Sequence, residues 1–309
     1  MNLNQYQRSK TMDNNFHIRQ ARSVGDVLSD TFNYIRIYYK SLAKMLAIYV
    51  LAPLMVGSLI FSTSLGELMT AARTGIGNQV DSNLFEPGLE IFAAFFFLLI
   101  AYVLLMGVVY QHIYYAGTGE VPESISDFSN GMFSKLLRFI PVLLLVSFVS
   151  LLIVLFSVFS VVEISGFLFL VIIPFLGYLF VKVILFPIAF FVEDAGGFNS
   201  LARSWELTNG YFWPTFGVYL LISIVFGVLS QLLSTPLLIV MAISGAGLGA
   251  ESGLMEGITI FTYTLSFVFQ LLFFAAQSIA MGLHYFNLEE RKEGHTLGEQ
   301  IAGLESETS

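Results

Sequence analysis

The chain has 309 residues and a net charge of −8; 56% of its residues are apolar and only 12% are charged. Soluble domains carry about 25% charged residues, so this composition excludes an ordinary soluble enzyme and a disordered chain. The acidic balance excludes the basic surface that nucleic-acid binding needs. The absence of cysteine excludes disulfides, thiolate metal ligands and a cysteine nucleophile. What remains is an integral membrane protein.

Six continuous apolar runs follow one another along the chain. Each is long enough to cross the hydrocarbon core of a bilayer, which takes about 20 residues. A transmembrane barrel would alternate apolar and polar residues, and only a helix satisfies its own backbone hydrogen bonds in such a run. The sequence therefore predicts an all-α integral membrane protein with six transmembrane helices. The predicted spans are residues 41–61, 89–112, 137–160, 167–192, 214–241 and 257–284.

Lysine and arginine are distributed unevenly between the segments that flank these spans. Of the 14 basic residues, Arg73 alone falls in a segment that follows span one, three or five, and Lys182 falls within span four. All the others lie on the opposite side of the membrane, half of them within the first 40 residues. Because basic loop residues stay in the cytoplasm, both termini are predicted to be cytoplasmic, which agrees with an even number of spans.

The segment before the first span has the pattern of an amphipathic helix. Leu28, Phe32, Ile35 and Tyr39 recur at steps of three and four residues and therefore share one helical face. The tyrosines and basic residues of this segment suit the headgroup layer, which favours a helix lying in the cytoplasmic interface. The alternative is a cytoplasmic helix that packs on the other spans.

Two later segments have a similar pattern. Residues 198–210 precede span five, with Asn199 or Ser200 as the predicted N-cap and Gly210 as the predicted stop. Residues 124–139 precede span three. The sequence therefore predicts three hairpins of transmembrane helices, each preceded by a cytoplasmic interfacial helix. The predicted aromatic anchors at the interface are Tyr38, Tyr39, Trp205 and Trp213.

Three stretches of the chain carry a family resemblance. They are Gly25–Pro53, Lys182–Gly217 and His284–Gly294, and the most specific piece is Ala202–Gly210, which reads ARSWELTNG. In these stretches the chain resembles the membrane domain associated with glycerophosphoryl diester phosphodiesterases, which is found mostly in bacterial membrane proteins. The resemblance implies a multi-pass protein of the bacterial cytoplasmic (inner) membrane.

The resemblance covers the membrane portion of that family and implies no phosphodiesterase activity. Such catalysis takes a soluble barrel, and the chain has no room for the roughly 200 or more residues that a barrel needs. The histidines, at positions 17, 112, 284 and 295, are too far apart in sequence to form a local motif. The sequence therefore predicts no catalytic residue, no metal site, no cofactor and no enzymatic activity.

Ionisable residues at membrane depth are candidates for function, and Lys182 in span four is the clear case. It is a candidate contact for a lipid headgroup or an anionic substrate. The alternatives are snorkelling to the cytoplasmic interface or pairing with Glu193 or Asp194. Arg203 is the second candidate contact for a phosphate, and its alternative is an ion pair with one of the same two carboxylates.

Span six carries a polar stripe of Gln270, Gln277 and His284, spaced by seven residues, which is nearly two helical turns. Such a stripe lines a cavity or a path, or it forms hydrogen bonds between helices, each worth about 1 kcal/mol. For the second interpretation the predicted partners are Gln231 on span five and the Gln111–His112 pair at the end of span two.

The chain divides into a polar N-terminal segment (1–24), a membrane domain (25–288) and an acidic, flexible cytoplasmic tail (289–309). The leading prediction is a non-enzymatic scaffold or accessory subunit of a bacterial membrane complex, in contact with the bilayer and with a protein partner or a second copy. The first alternative is a transporter or lipid-handling protein with a cavity between spans four and six. The second is an integral membrane enzyme acting on lipid, with His112, His284 and Glu193 close together.

Overall fold

The computed structural model describes residues 16–74, 85–118, 124–163, 169–194, 196–245 and 253–294. Nearly all of these residues are helical, and none of them belongs to a β-strand. The chain is an all-α membrane protein, as its continuous apolar runs predict. In chain order the helices are α1 (Val24–Tyr49), α2 (Leu51–Thr74), α3 (Phe85–Thr118), α4 (Ile125–Glu163), α5 (Phe169–Val183), α6 (Phe186–Glu193), α7 (Gly197–Thr208), α8 (Phe212–Gly245) and α9 (Gly253–Glu293).

Within the described ranges, five helical stretches are long and apolar enough to cross a membrane. The bent pair of α1 and α2 brings the number to six if it counts as one span. Each of the five overlaps one of predicted spans two to six, and the bent pair contains predicted span one. The five stretches are Gly88–Thr118, Ile125–Val149, Leu170–Glu193, Phe212–Pro236 and Gly257–Glu293.

The bend of 56° between α1 and α2 follows from Pro53. Proline has no N–H to donate to the carbonyl four residues earlier, and its ring collides with that carbonyl. Here the carbonyl belongs to Tyr49, the last residue of α1. The predicted interfacial segment and the first part of predicted span one therefore form a single helix, and the break comes at residue 50 instead of near residue 41.

Helix α1 has one face buried in protein and one face left uncovered. Val27 and Tyr34 are fully buried, whereas Phe32 is 46% exposed and Tyr39 is 55% exposed. Phe32 and Tyr39 belong to the apolar face that the spacing predicts, and its other two residues, Leu28 and Ile35, are half-buried. The buried face shows that α1 packs on protein, as the second interpretation expects. A position in the headgroup layer stays a prediction for its exposed side.

Predicted span four is divided into α5 and α6 for the same reason that bends the first span. Pro187 leaves the carbonyl of Val183, the last residue of α5, without its helical N–H, and it occupies the first turn of α6. The effect depends on context, because other prolines of the described chain lie inside continuous helices. These are Pro141, Pro174 and Pro236.

The helix boundaries differ from the predicted ones at two further places. Residues 124–139 do not form a separate interfacial helix, because α4 continues through them to Glu163, and their apolar face with Phe128 and Met132 is buried in protein. Helix α9 continues past residue 288 to Glu293. The flexible tail predicted beyond it lies outside the described residues from position 295 onward, as do the first 15 residues of the predicted N-terminal segment.

The chain forms two compact units. Unit 1 comprises Met1–Tyr39, Val109–Leu221 and Ser278–Ser309, and unit 2 comprises Lys40–Val108 and Ile222–Gln277. The core of unit 1 is rich in phenylalanine: the ring centroid of Phe139 lies 5.4 Å from Phe186, 5.2 Å from Phe190 and 5.5 Å from Phe191. These contacts join α4 to α6, so the short helix α6 is held in place by buried aromatic packing.

Apolar contacts join the helices of unit 2. A Cβ on Gly57 would lie 3.0 Å from the backbone nitrogen of Leu98, so the glycine permits close approach of α2 and α3. The ring centroids of Phe61 and Phe267 are 5.4 Å apart. One polar contact joins α2 to α3 as well, the hydrogen bond of 2.7 Å that Ser64 Oγ donates to Glu90 Oε2.

Candidate functional site

The short helix α7 lies at the centre of the candidate site, and glycines determine where it begins and ends. Gly196 precedes it with φ 81°, a backbone conformation that favours glycine. A Cβ on Gly197 would lie 2.3 Å from Val142 Cγ2, so a bare backbone is needed where α7 meets α4. Gly210, with φ 82°, follows the helix and confirms the predicted stop.

The predicted N-cap of this helix is wrong. The helix begins at Gly197, with Gly196 in the cap position, so neither Asn199 nor Ser200 caps it. Ser200 lies one turn inside the helix, where its hydroxyl donates a hydrogen bond of 2.8 Å to the Gly196 carbonyl. A serine in that position competes with the helical backbone for the same acceptor and does not satisfy the first N–H groups.

Arg203 on α7 meets carboxylates from three helices, and we call this group the Arg203 cluster. Its Nε donates to Glu193 Oε1 of α6 at 2.6 Å, its Nη2 donates to Glu293 Oε1 of α9, and its Nη1 lies 3.5 Å from Glu206 Oε2 of α7 itself. Tyr285 of α9 donates its hydroxyl proton to the same oxygen of Glu193. The Arg203 side chain is only 16% exposed, so a largely enclosed guanidinium links α6, α7 and α9.

The electrostatics of Arg203 match this geometry. Burial by itself would lower its pKa, but the hydrogen bonds to Glu293 and Glu193 outweigh burial and raise that pKa above the usual arginine value. Glu193 is one of the two carboxylates that the sequence predicts as its partner. Because the guanidinium is engaged by the protein's own carboxylates, the geometry favours the ion-pair alternative over a phosphate contact at Arg203.

Lys182, the second candidate anion contact, lies against aromatic rings. Its Nζ is 5.2 Å from the ring centroid of Trp205 and 5.6 Å from that of Tyr178, and the residue is 3% exposed. No carboxylate of the described chain lies within 4.0 Å of it, because Glu193 pairs with Arg203 and Asp194 pairs with Arg138. Cation–π contacts therefore replace the predicted ion pair with the Glu193–Asp194 turn.

Helix α7 also fixes the backbone beside Lys182. Ser204 is fully buried and donates its hydroxyl proton to the Lys182 carbonyl at 2.8 Å. That carbonyl lies in the last turn of α5, where the break before Pro187 leaves helical acceptors without N–H partners. The Ser204 hydroxyl thus supplies a donor for a carbonyl at the end of α5. The same hydrogen bond keeps the backbone of Lys182 next to Trp205.

The members of the predicted polar stripe lie in three different environments. Gln270 is exposed, and Gln277 donates a hydrogen bond of 3.1 Å to Ser223 Oγ of α8. His284, which belongs to unit 1, is buried, and its Nε2 lies 3.0 Å from Thr215 Oγ1. The structure therefore shows helix-to-helix hydrogen bonds at two of the three positions. The partner of Gln277 is Ser223, and the predicted partner Gln231 is exposed.

Two buried polar contacts in unit 1 were not predicted from the sequence. The Tyr34 hydroxyl lies 2.7 Å from His112 Nδ1, and both residues are fully buried. Arg22 is also buried, and its guanidinium donates to Asp30 Oδ2 at 2.7 Å and to the carbonyls of His17 and Ile18 at 2.6 Å. Burial lowers the pKa of Arg22 in spite of the opposing effect of Asp30. In the sequence, only the concentration of basic residues in the first 40 positions pointed to Arg22.

The predicted interface anchors divide into outward and inward residues. Trp213 is 74% exposed, and Tyr39 and Trp205 are exposed as well. Tyr38 instead lies inward, with its ring centroid 4.8 Å from Tyr34 and 5.4 Å from His112. Anchoring at the headgroup layer stays a prediction for the three exposed residues.

The three residues proposed for an enzyme site have separate partners. His112 contacts Tyr34, His284 contacts Thr215, and Glu193 accepts from Arg203. In the part of the chain that the structure describes, no group of three or more His, Asp or Glu side chains is placed to hold a metal ion. Neither a scan against protein-family models nor searches of curated proteins and of solved structures found a match for this chain.

Proposed function

We propose that this chain is a non-enzymatic multi-pass protein of a bacterial inner membrane that serves as a scaffold or accessory subunit of a membrane complex, with both termini in the cytoplasm. The observation that carries the proposal is the Arg203 cluster, in which one guanidinium joins α6, α7 and α9 through its ion pairs. A network of this kind holds helices in fixed positions. Fixed helices are what a surface needs in order to dock a partner at low entropic cost.

The surface beside this cluster is aromatic, exposed at three of its four residues and half-buried at Phe212, and we call it the aromatic ridge. It consists of Trp205, Tyr178, Phe212 and Trp213, whose successive ring centroids are 6.1, 5.5 and 5.3 Å apart. Three of its members belong to α7 or to the first turn of α8, directly after the cluster. Rigid aromatic side chains are enriched both at the membrane interface and at protein interfaces, so the ridge fits a scaffold that meets its partner at the headgroup layer.

Site-specific photo-crosslinking in intact cells tests the proposal. A photo-reactive amino acid replaces Trp213 on the ridge or, as the matched control, Leu232 on the same helix, which is 64% exposed. We expect a discrete protein adduct from position 213, to a partner or to a second copy, and none from position 232. A full chain that forms no protein adduct at position 213 and behaves as a monomer in mild detergent would contradict a scaffold.

The proposed orientation has its own test, which the composition makes simple. Because the chain contains no cysteine, a single introduced thiol gives labelling without background. A membrane-impermeant maleimide is expected to label Ser82→Cys in intact spheroplasts and to label Ser306→Cys only after lysis. The reverse pattern would show that the termini lie outside the cytoplasm.

A further inference from the structure

Unit 1 contains a cavity of about 260 Å³ whose wall is part apolar and part cationic. It lies between the segment before α1, the start of α8 and the end of α9. Neither Lys182 nor Gln277 lines it, so it is not the cavity that the transporter alternative predicts. Among the described residues of its lining there are two arginines, Arg22 and Arg291, and no carboxylate.

The two arginines of the cavity differ in what already satisfies them. Arg22 is neutralised by Asp30 and donates to backbone carbonyls, so its guanidinium is occupied. Arg291 donates from Nε to Asn287 Oδ1 at 3.0 Å and from Nη2 to the Arg22 carbonyl at 2.7 Å. Both of these acceptors are neutral. No carboxylate of the described chain lies within 4.0 Å of Arg291, and its Nη1 makes no hydrogen bond there, so among the described residues the cation is oriented but not neutralised.

The polar wall around Arg291 is fixed by its own hydrogen bonds. Asn287 is 3% exposed, and its Oδ1 accepts from Arg291 and from the Arg22 backbone N–H at 2.7 Å. Its Nδ2 lies 3.4 Å from His284 Nδ1, and the other nitrogen of His284 contacts Thr215. A guanidinium held by two neutral acceptors does not have to reorganise in order to bind an anion, which lowers the cost of binding.

Four other residues of the cavity lining are apolar. They are Val24, Pro214, Val218 and Leu288. A volume of about 260 Å³ is just below the roughly 300–1,000 Å³ of small-molecule pockets. Both its size and its mixed apolar and cationic lining suit a compact anion that carries an apolar part.

We propose that this cavity binds a phosphate ester, with the phosphate on the guanidinium of Arg291 and the remainder of the molecule against Val218 and Pro214. A planar guanidinium is well matched to phosphate oxygens. The same chemistry is supplied by the headgroup of an anionic phospholipid or by a free organic phosphate. This inference does not depend on the scaffold role, because it rests on a different group of residues.

The test uses the full chain purified in a neutral detergent. The probes are a phosphatidylglycerol and, separately, glycerol 3-phosphate, and the readouts are adduct mass by native mass spectrometry and affinity by titration. Arg291→Gln removes the charge, and Arg36→Gln, an exposed arginine of α1 outside the cavity, removes the same charge elsewhere. We expect Arg291→Gln to weaken binding at least about tenfold, the size of one charge-assisted hydrogen bond, and Arg36→Gln to leave it unchanged.

Each outcome has a definite meaning. Binding of the lipid alone identifies a headgroup site, and binding of glycerol 3-phosphate identifies a site for a free phosphate ester. If neither probe binds, or if Arg291→Gln and Arg36→Gln weaken binding equally, the proposal is overturned. Val218→Phe fills the cavity without changing any charge and covers the case in which Arg291→Gln does not fold; binding that survives this change also overturns the proposal.

Discussion

Arg203 and Arg291 both lie in unit 1 and are both held by several hydrogen bonds, yet their surroundings differ in charge. Arg203 meets three carboxylates, whereas Arg291 donates to a side-chain amide and a backbone carbonyl. The first arrangement neutralises the cation and ties helices together. The second fixes the orientation of a cation and leaves its charge available. The charge of the partners, more than the residue type, decides whether an arginine holds the fold or receives an anion.

The largest loss of stability is expected from Arg203→Ala, which removes the cation at the centre of the Arg203 cluster. It leaves Glu193 and Glu293 partly buried without their cation, and removing one partner of such a pair costs about 3 kcal/mol of unfolding free energy. Thermal unfolding in detergent measures the loss as a fall in Tm. Glu206→Gln is the control: Glu206 is 66% exposed and is the most distant of the three carboxylates, so we expect almost no change.

The next largest effect is expected where α7 packs against α4, because this contact fixes the position of Arg203. Gly197→Ala places a methyl group against Val142, and overpacking of this kind costs about 1–3 kcal/mol. Val142→Ala in the same chain should restore part of the Tm. Gly217→Ala, where an added Cβ meets no atom within 4 Å, should not lower the Tm, and equal losses at positions 197 and 217 would show that helix packing is not the cause.

The third prediction concerns Lys182, a cation that contacts aromatic rings instead of a carboxylate. Trp205→Leu removes the larger of the two rings beside Lys182, and a cation–π contact of this type is worth about 0.5–2 kcal/mol. A double-mutant cycle with Lys182→Met isolates the coupling between the two side chains. Trp213→Leu, on an exposed ring that does not contact Lys182, serves as the control. A coupling energy of zero would show that the contact between Lys182 and Trp205 does not stabilise the fold, and Lys182 would then resemble Arg291.

The smallest effect on stability is expected from Arg291→Gln. The arginine is exposed and its acceptors are neutral, so the change should stay within about 0.5 kcal/mol, as for most surface substitutions. The same variant is expected to lose phosphate-ester binding, which separates the two effects. A loss of stability as large as that of Arg203→Ala would remove the distinction between the two arginines.

Patterns within single helices were predicted well. The apolar runs locate the long helices, and Gly210 marks the end of α7 because a positive φ follows from the local residue type. The positions of Pro53 and Pro187 allow the two helix breaks to be understood, yet Pro141, Pro174 and Pro236 lie in continuous helices. Since neighbouring groups can compensate for a proline in a membrane helix, the residue alone does not determine whether a helix breaks.

Contacts between distant segments were predicted poorly. The sequence offers Glu193 or Asp194 as partner for both Lys182 and Arg203, and only the packing of α7 on α5 and α6 assigns Glu193 to Arg203 and the aromatic rings to Lys182. The Tyr34–His112 contact joins residues 78 positions apart. Neither residue has a pattern that indicates the other, because such a pair depends on the relative rotation of two helices.

By itself the sequence determined that this protein is an all-α membrane protein, because hydropathy and backbone hydrogen bonding in lipid leave continuous apolar runs only one structure. It also determined which residues carry charge. Only the tertiary structure decided how those charges are used: it brought three carboxylates to Arg203 and none of the described ones to Arg291. Ion pairs and hydrogen bonds form only when two groups lie within a few ångströms of each other, and spacing along the chain does not fix such distances between helices.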